Sequence, residues 1–425
     1  MVRETSICSR SATSISIKMP ENVAFIIDTL EKNGHEAFAV GGCVRDAIMG
    51  RIPHDWDITT SAKPEQVKAL FRRTIDTGIK HGTVTIMLGK VGYEVTTYRI
   101  DGEYVDGRHP KEVIFTDNLI EDLKRRDFTI NAMAYNDRAG VVDAFDGISD
   151  LENKIIRCVR VATERFTEDA LRILRALRFS GQLDFSISDD TCQAIEALAP
   201  NLSKISKERI QSELDKLITS CHPDRISLVQ LYRLNKYIFE GADSLTQSDT
   251  FIYKNIITIM ELLPQNHYLR WAALMLYESQ PETVLKKLKF DNKTVDICGR
   301  LIKAARTELP SDKPGLRRMV VRFGKDLFVD YLFDFLYAIS NAGLQSHSSR
   351  QDLEHIHEMY KEIVAAGDCI SMKDLAIKGS ELIACGFEPG KKLGEILNML
   401  FEQVLDNPKL NDYDTLLSMA ESYCN

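Results

Sequence analysis

The spacing of apolar residues changes once along this chain, near Leu151, and that change leaves few architectures open. Before it, short runs rich in β-branched and aromatic residues read as strands: EAFAV (36–40), DWDIT (55–59), TVTIML (83–88), YEVTTYR (93–99) and EVIF (112–115). Two helical stretches interrupt them. Pro20 to Lys32 places Val23, Ile26, Ile27 and Leu30 on one face, and Pro64 to Phe71 begins with a proline suited to a first helical turn. After Leu151 the strand signals nearly vanish, and amphipathic stretches such as EDALRILRALRF and ERIQSELDKLI follow one another. The expected fold class is an α+β head with one small sheet, followed by an all-α neck, body and tail. The 425 residues exceed one ordinary core, so several domains are expected. We divide them into a disordered or processed tail (1–19), a head (20–150), a neck (151–220), and an all-α body and tail (221–425).

Composition narrows the functional classes. No apolar run is long enough to span a bilayer, and the opening residues hold no apolar signal core, so no membrane partner is expected. Their Ser and basic residues fit either a disordered tail or an organellar transit segment. Nine scattered cysteines without a CxxC point to a reducing cytoplasm, and away from a zinc site or a disulfide framework. The net charge of −8 does not advertise an RNA partner, but affinity for RNA depends on local Lys and Arg facing phosphates.

The densest chemistry lies in GGCVRD (41–46) and HDWDI (54–58). A Gly-Gly turn between a strand and a helix offers backbone amides to phosphate, and Arg45 can add a charged contact. On a strand, Asp55 and Asp57 share a face and can hold a pair of Mg²⁺ ions about 4 Å apart. Trp56 and Ile58 then take the buried side. A DxD is also a common turn or solvated pair. Glu94, within YEVTTYR, is either a third acidic ligand or an edge-strand residue facing water. In RRDFTINAMAY (125–135), Asp127 precedes an apolar helical run and can cap it; alternatively Arg126 meets a triphosphate while Asp127 or Asn131 meets the sugar.

Placed on one helix at about 100° per residue, RFTEDALRILRALRF (165–179) buries Ala170, Ile173, Leu174 and Leu177, and fans Asp169, Arg172, Arg175 and Arg178 around the other side. That outer side is either a solvated ion-pair face or a base reader. As a reader, the carboxylate accepts from the exocyclic amine of cytosine or adenine, while an Arg donates to the adjacent ring nitrogen. Uracil and guanine present a carbonyl and an N–H there, so both contacts turn repulsive. Residues 101–111, DGEYVDGRHPK, read as a hairpin loop, either simply solvated or mobile beside an active site.

Together these motifs resemble the class II tRNA nucleotidyltransferases, the bacterial-type CCA-adding enzymes of the DNA polymerase beta superfamily. The likeness runs from residue 20 through GGCVRD, HDWDI, KHGTVTI, YEVTTYRIDGEYVDGRHP, RRDFTINAMAY, DAFDGISDLENKIIR, EDALRILRALRF and ISKERIQSEL. It resumes at LAIKGSELIACGFEPGKKLGEILNML (375–400), being weak between about 222 and 370. The resemblance implies a polymerase beta-like palm, tRNA as partner, CTP and ATP as substrates, and Mg²⁺ as cofactor (two ions, with Mn²⁺ possible). It implies Asp55 and Asp57 as metal ligands, with Glu94 as the third catalytic acid. Gly42 and Arg45 become phosphate contacts, Arg126 a contact to the incoming nucleotide, and Asp169 with Arg172 the selector of C and A. Arg175 and Arg178 become further nucleotide-binding arginines, and the loop at 101–110 a switch from C to A addition. The tail lysines Lys391 and Lys392 are expected on RNA phosphate, in a monomer or homodimer. Glu381 departs from the family's usual Asp in its tail stretch. A bacterial poly(A) polymerase, an A-only or CC-only enzyme, and an inactive RNA binder are the competing readings.

Overall fold

The structure, a computed structural model, describes residues 15–102, 113–247, 250–343 and 349–424. The expected switch loop at 101–110 therefore falls almost wholly outside the described residues, as does most of the 1–19 tail. Two compact units divide the chain, Met1–Ile238 and Phe239–Asn425.

The first unit carries the expected head sheet, a mixed one of seven strands. Its strands are β1 (Ala37–Val40), β2 (Ile58–Thr60), β3 (Thr74–Gly78), β4 (Thr83–Leu88), β5 (Val91–Thr97), β8 (Met133–Asn136) and β9 (Gly140–Asp143), in the order β3-β4-β5-β2-β1-β8-β9. A separate hairpin joins β6 (Arg99–Asp101) to β7 (Val113–Phe115). Among the described residues after Leu151 the strands are β10 (Ile155–Ile156) and β11 (Ser186–Ile187), which pair over two residues each. Helix α1 (Glu21–Lys32) buries Val23, Ile26, Ile27 and Leu30, as its spacing requires. Helices α2 (Gly42–Ile48), α3 (Pro64–Leu70), α4 (Leu119–Lys124) and α5 (Gly147–Glu152) complete the head, and α6 (Ala162–Glu168), α7 (Leu171–Leu183), α8 (Asp189–Leu198) and α9 (Lys207–Ile218) the neck.

Three local expectations are corrected. DWDIT is a strand only from Ile58, because β1 ends at Val40 and the chain turns at Gly41, leaving Asp55 and Trp56 no ladder partner. RRDFTINAMAY does not form a helix. Phe128 bridges to Cys158, a single 3₁₀ turn spans Thr129–Asn131, and Met133–Asn136 is a strand buried along its whole length between β1 and β9. A strand buried on both faces has no alternation to distinguish it from an apolar helix. Asp127 therefore caps no helix there. Finally, RFTEDALRILRALRF is two helices, broken at Asp169, whose backbone is extended (φ −145°, ψ 102°).

Elements of the second unit are helical throughout the described residues. Trp271 is fully buried against Phe290, ring centroids 4.6 Å apart. The helix Lys313–Phe323 is tied to the helix Lys391–Asp406 by Arg317, which donates to the Leu405 carbonyl, and by Arg318, which pairs with Glu402 and Asp406. No helix among the described residues is long and apolar enough to cross a membrane.

One contact fixes the turn that later carries Asn131. Gly147 opens α5 so close to that turn that a Cβ would lie 2.5 Å from the Thr129 carbonyl and 3.0 Å from the Met133 side chain. Both neighbours are buried, so neither can yield cheaply. Gly147→Ala should lower stability by about 2–3 kcal/mol and the thermal midpoint by roughly 4–12 °C, measured by circular dichroism against the wild type.

Candidate active site

Sheet order brings the acidic residues together. The Asp57 carbonyl accepts the Val40 N–H at 3.0 Å, so Asp57 stands at the mouth of β2 beside the end of β1. On the other side β5 runs parallel to β2 with Val95 in register with Ile58, which sets Glu94 alongside Asp57. Asp55, Asp57 and Glu94 line one open cleft of about 610 Å³, with His54, Trp56 and Tyr93. All three carboxylates are exposed, and none forms a side-chain hydrogen bond or ion pair among the described residues. Glu94 is thus neither an edge residue nor an internally paired one: β5 is an interior strand. Protein crowded around Asp57 pushes its carboxyl above the usual range; Asp55 adds to the rise and Arg126 opposes it. Among the described residues no three His, Cys, Asp or Glu side chains are gathered closely enough to hold a metal ion by themselves. The donor set nevertheless fits a hard divalent cation: carboxylate oxygens only, unneutralised, and open on one side to a substrate.

Beside this acidic cleft stands a band of arginines. Gly41, at φ 84°, turns the chain from β1 into α2. The backbone conformation there favours glycine, and a Cβ would also press on Arg126 Nη1 at 3.0 Å. Arg126 is held by Asp122, a fully buried carboxylate that also takes Arg125 at 2.9 Å, the Thr59 hydroxyl at 3.2 Å and the Arg99 N–H at 3.3 Å. Against the desolvation of burial, Arg125 and Arg126 hold Asp122 below the ordinary carboxylate range. The composition of EDLKRRD, with Asp three and four residues before two arginines, is the signal that could have flagged Asp122.

Gly42 begins α2 and is half-exposed. Arg45, in the same helix, is buried. It donates to Asp46 at 2.9 Å and to Asn131 at 2.6 Å. Asn131 donates in turn to Asp127 at 3.2 Å, and Asp127 takes Arg175 Nε at 2.7 Å. Asp127 is buried, and although burial alone raises a carboxyl, Arg175, Asn131 and Arg172 hold it well below its usual range. Asp127 and Asn131 are therefore internal links in this structure.

The neck arginines separate by exposure. Arg175 keeps a third of its side chain exposed. Arg178, expected on the outer side, is buried and pairs with Glu213 of α9 at 2.9 Å, because α9 packs on that face of α7. Asp169 and Arg172 lie close in the chain but do not pair with each other. The Asp169 carboxylate accepts the Leu171 N–H at 3.0 Å and Arg209 at 2.7 Å. Arg172 is held by Glu168 and by the carbonyls of Arg165 and Arg125, each at 3.1 Å. The carbonyl of Arg125 thus joins the start of α7 to the RRD turn. Glu168, Arg209 and Glu213 were missed as individual residues, though Arg209 and Glu213 lie within ISKERIQSEL.

The tail lysines belong to the second unit. Lys391 and Lys392 open the helix Lys391–Asp406 and line a shallow pocket of about 570 Å³ with Phe387, Pro389 and Gly390. Lys391 is 93% exposed, and its nearest carboxylate, Glu395, is 3.8 Å away.

Known proteins share this organisation along the chain. Residues 37–157 match the poly(A) polymerase head domain, and 184–245 a probable RNA- and SrmB-binding site of polymerase A. Residues 262–420 match a putative second domain of tRNA nucleotidyltransferase. The CCA-adding enzyme of Leuconostoc mesenteroides is 37% identical over 406 residues, 94% of this chain and 96% of the relative. That of Enterococcus faecalis is 36% identical over 94% of this chain and 95% of its own. The crystal structure of a Bacillus stearothermophilus CCA-adding enzyme in complex with CTP superposes with a TM-score of 0.77 at 31% identity, covering 94% of this chain and 96% of the other. A Thermotoga maritima CCA-adding enzyme complexed with tRNA shares the fold, with a TM-score of 0.62 at 20% identity, covering 95% of each chain. With like sequence over nearly its whole length and a like fold in both units, the chain belongs to the CCA-adding enzymes.

Proposed function

We infer that this chain builds and repairs the 3′-terminal CCA of tRNA from CTP and ATP without a nucleic acid template, releasing pyrophosphate. The observation that carries the reading is the RRD turn: Arg126 beside the acidic cleft and the Arg125 carbonyl on Arg172 unite a phosphoryl-transfer site with a possessor of base-edge donors and acceptors. A poly(A) polymerase is not favoured, since the full-length relatives are CCA-adding enzymes.

In this reading Asp55 and Asp57, with Glu94 beside them, hold Mg²⁺, which supplies activation of the tRNA 3′-hydroxyl and charge neutralisation on the departing pyrophosphate; Mn²⁺ offers the same hard chemistry. The protein's own groups orient the nucleotide. Arg126 and Arg175 face its phosphates, the turn at Gly41–Gly42 lets the backbone come close to them, and Arg45 and Arg178 brace from behind. Asp122 and Asp127 position Arg126 and Arg175. Asp169 accepts from the exocyclic amine of C or A while Arg172 donates to the ring nitrogen beside it. A carboxylate has about four lone-pair sites, so the bonds from Leu171 and Arg209 leave room for a base. The tail lysines take tRNA backbone phosphate.

Three outcomes test this. Asp55→Ala and Asp57→Ala should each abolish addition of both C and A while tRNA binding persists, because one acidic site serves both nucleotides; substantial turnover of either with Mg²⁺ would refute the shared site. Lys391→Glu with Lys392→Glu should weaken tRNA binding and reduce the slope of log K against log salt by about 1.5–2 units, read from a filter-binding salt series; an unchanged slope removes the lysines from the RNA interface. Asp169→Ala should raise incorporation of UTP relative to CTP by roughly 10-fold or more, as expected for a lost pairing of about 1–3 kcal/mol. The ratio of kcat/KM values, in a variant shown to be folded, decides it: an unchanged ratio would place base reading elsewhere.

A further inference from the structure

Six cation–π contacts occur among the described residues, and three of them fall on one phenyl ring. The guanidinium carbons of Arg45, Arg175 and Arg178 lie 5.2, 5.4 and 4.2 Å from the centroid of Phe179. Phe128 makes a T-shaped contact with the same ring at 5.8 Å. The ring is buried. Each arginine has its own carboxylate: Asp46 for Arg45, Asp127 for Arg175 and Glu213 for Arg178. None of those carboxylates is shared among the three, whereas the ring is common to all.

Three cations around one side chain repel one another. Burial foremost, with Arg175 and Arg45 acting in the same direction and Glu213 and Asp127 opposing, lowers the Arg178 guanidinium to about 10. The negative face of an aromatic ring answers that repulsion without forming a hydrogen bond, so the N–H groups are left for other acceptors. An aliphatic side chain of similar size would fill the volume but supply no such field. The arginines come from two elements, α2 and α7, so the ring also links the glycine turn to the neck. The arginines over the ring do not include Arg172; Asp169 is held by Arg209 and the Leu171 N–H, and Arg172 by groups that include Glu168 and backbone carbonyls.

We propose that Phe179 is a positioning residue for the triphosphate site, its ring bracing the part-exposed Arg175 together with the buried Arg45 and Arg178 behind it as one pre-formed cluster that serves CTP and ATP alike and takes no part in choosing the base. The proposal rests on the reading above that Arg175 faces nucleotide phosphate. Restraining a charged side chain before the ligand arrives lowers the ordering cost of binding, so the effect belongs in KM.

The test uses the full-length protein with tRNA lacking CCA and tRNA ending in CC. Phe179→Leu should raise KM for CTP and for ATP by about five- to tenfold, with kcat within about twofold of wild type. Its CTP-over-UTP ratio should not move, and Phe179→Tyr should restore KM. Progressive fluorination of phenylalanine at position 179 weakens the ring's negative face at nearly constant shape, so KM should climb stepwise with fluorine number even if the leucine variant fails to fold. Arg175→Ala is the reference. If it raises KM while the fluorination series stays flat, Phe179 only fills space and the proposal is overturned. If Arg175→Ala itself keeps the wild-type KM, the reading of Arg175 fails and the proposal falls with it, which separates the two failures.

Discussion

The ion pair between Asp127 and Arg175 is the joint on which the candidate site depends. It fastens a short turn of the head to α7, with its carboxylate buried and its guanidinium a third exposed. Removing Arg175 would leave the buried Asp127 carboxylate with less compensation, whereas an exposed pair contributes little. From Asp127 the network continues through Asn131 to Arg45 and so to the glycine turn. Its carboxyl is held below the ordinary range, so its stabilising contribution is present above the unfolded carboxylate pKa and is lost as pH falls through the folded value. At neutral pH the joint is fully ionised.

Charge is distributed unevenly around that joint. On one side Asp55, Asp57 and Glu94 stand exposed without side-chain partners among the described residues; on the other, each arginine of the band has at least one carboxylate or carbonyl. Unpartnered carboxylates are free to bind cation, and partnered guanidiniums are held in fixed orientations. The asymmetry explains how a chain of net charge −8 can handle polyanions. Local order, not the sum of charges, sets the field that a phosphate meets.

The sequence made parts of this arrangement legible and hid others for physical reasons. Gly-Gly after a strand, the DxD and the arginine-rich neck carry chemistry that few structural roles require together, and they do converge on neighbouring elements. Strand β8 was hidden because Met133–Asn136 is buried along its whole length, so no polar alternation marks it. Strand β3 was hidden for the opposite reason, since TIDTG is mostly polar and its register shifts along β4. The placement of Asp127 and Arg178 depended on tertiary partners far away in the chain, Arg175 and Glu213. Helical spacing put Arg178 outside because spacing describes one helix and not the second helix, α9, packed against it.

The break at Asp169 bears most directly on the proposed reading of two bases by one site. On a continuous helix, Asp169 and Arg172 would lie one above the other and neutralise each other at i,i+3. The extended backbone at Asp169 ends α6, and the Leu171 N–H and Arg209 then hold its carboxylate from two sides. Arg172 is held separately, from Glu168 and two carbonyls. An acceptor and a donor anchored independently form a fixed pattern rather than a closed ion pair. Cytosine and adenine differ in size but share an exocyclic amine beside an unprotonated ring nitrogen. A reader that fixes only those two positions is indifferent to the size of the ring behind them, and it rejects uracil and guanine because both present the reversed pattern.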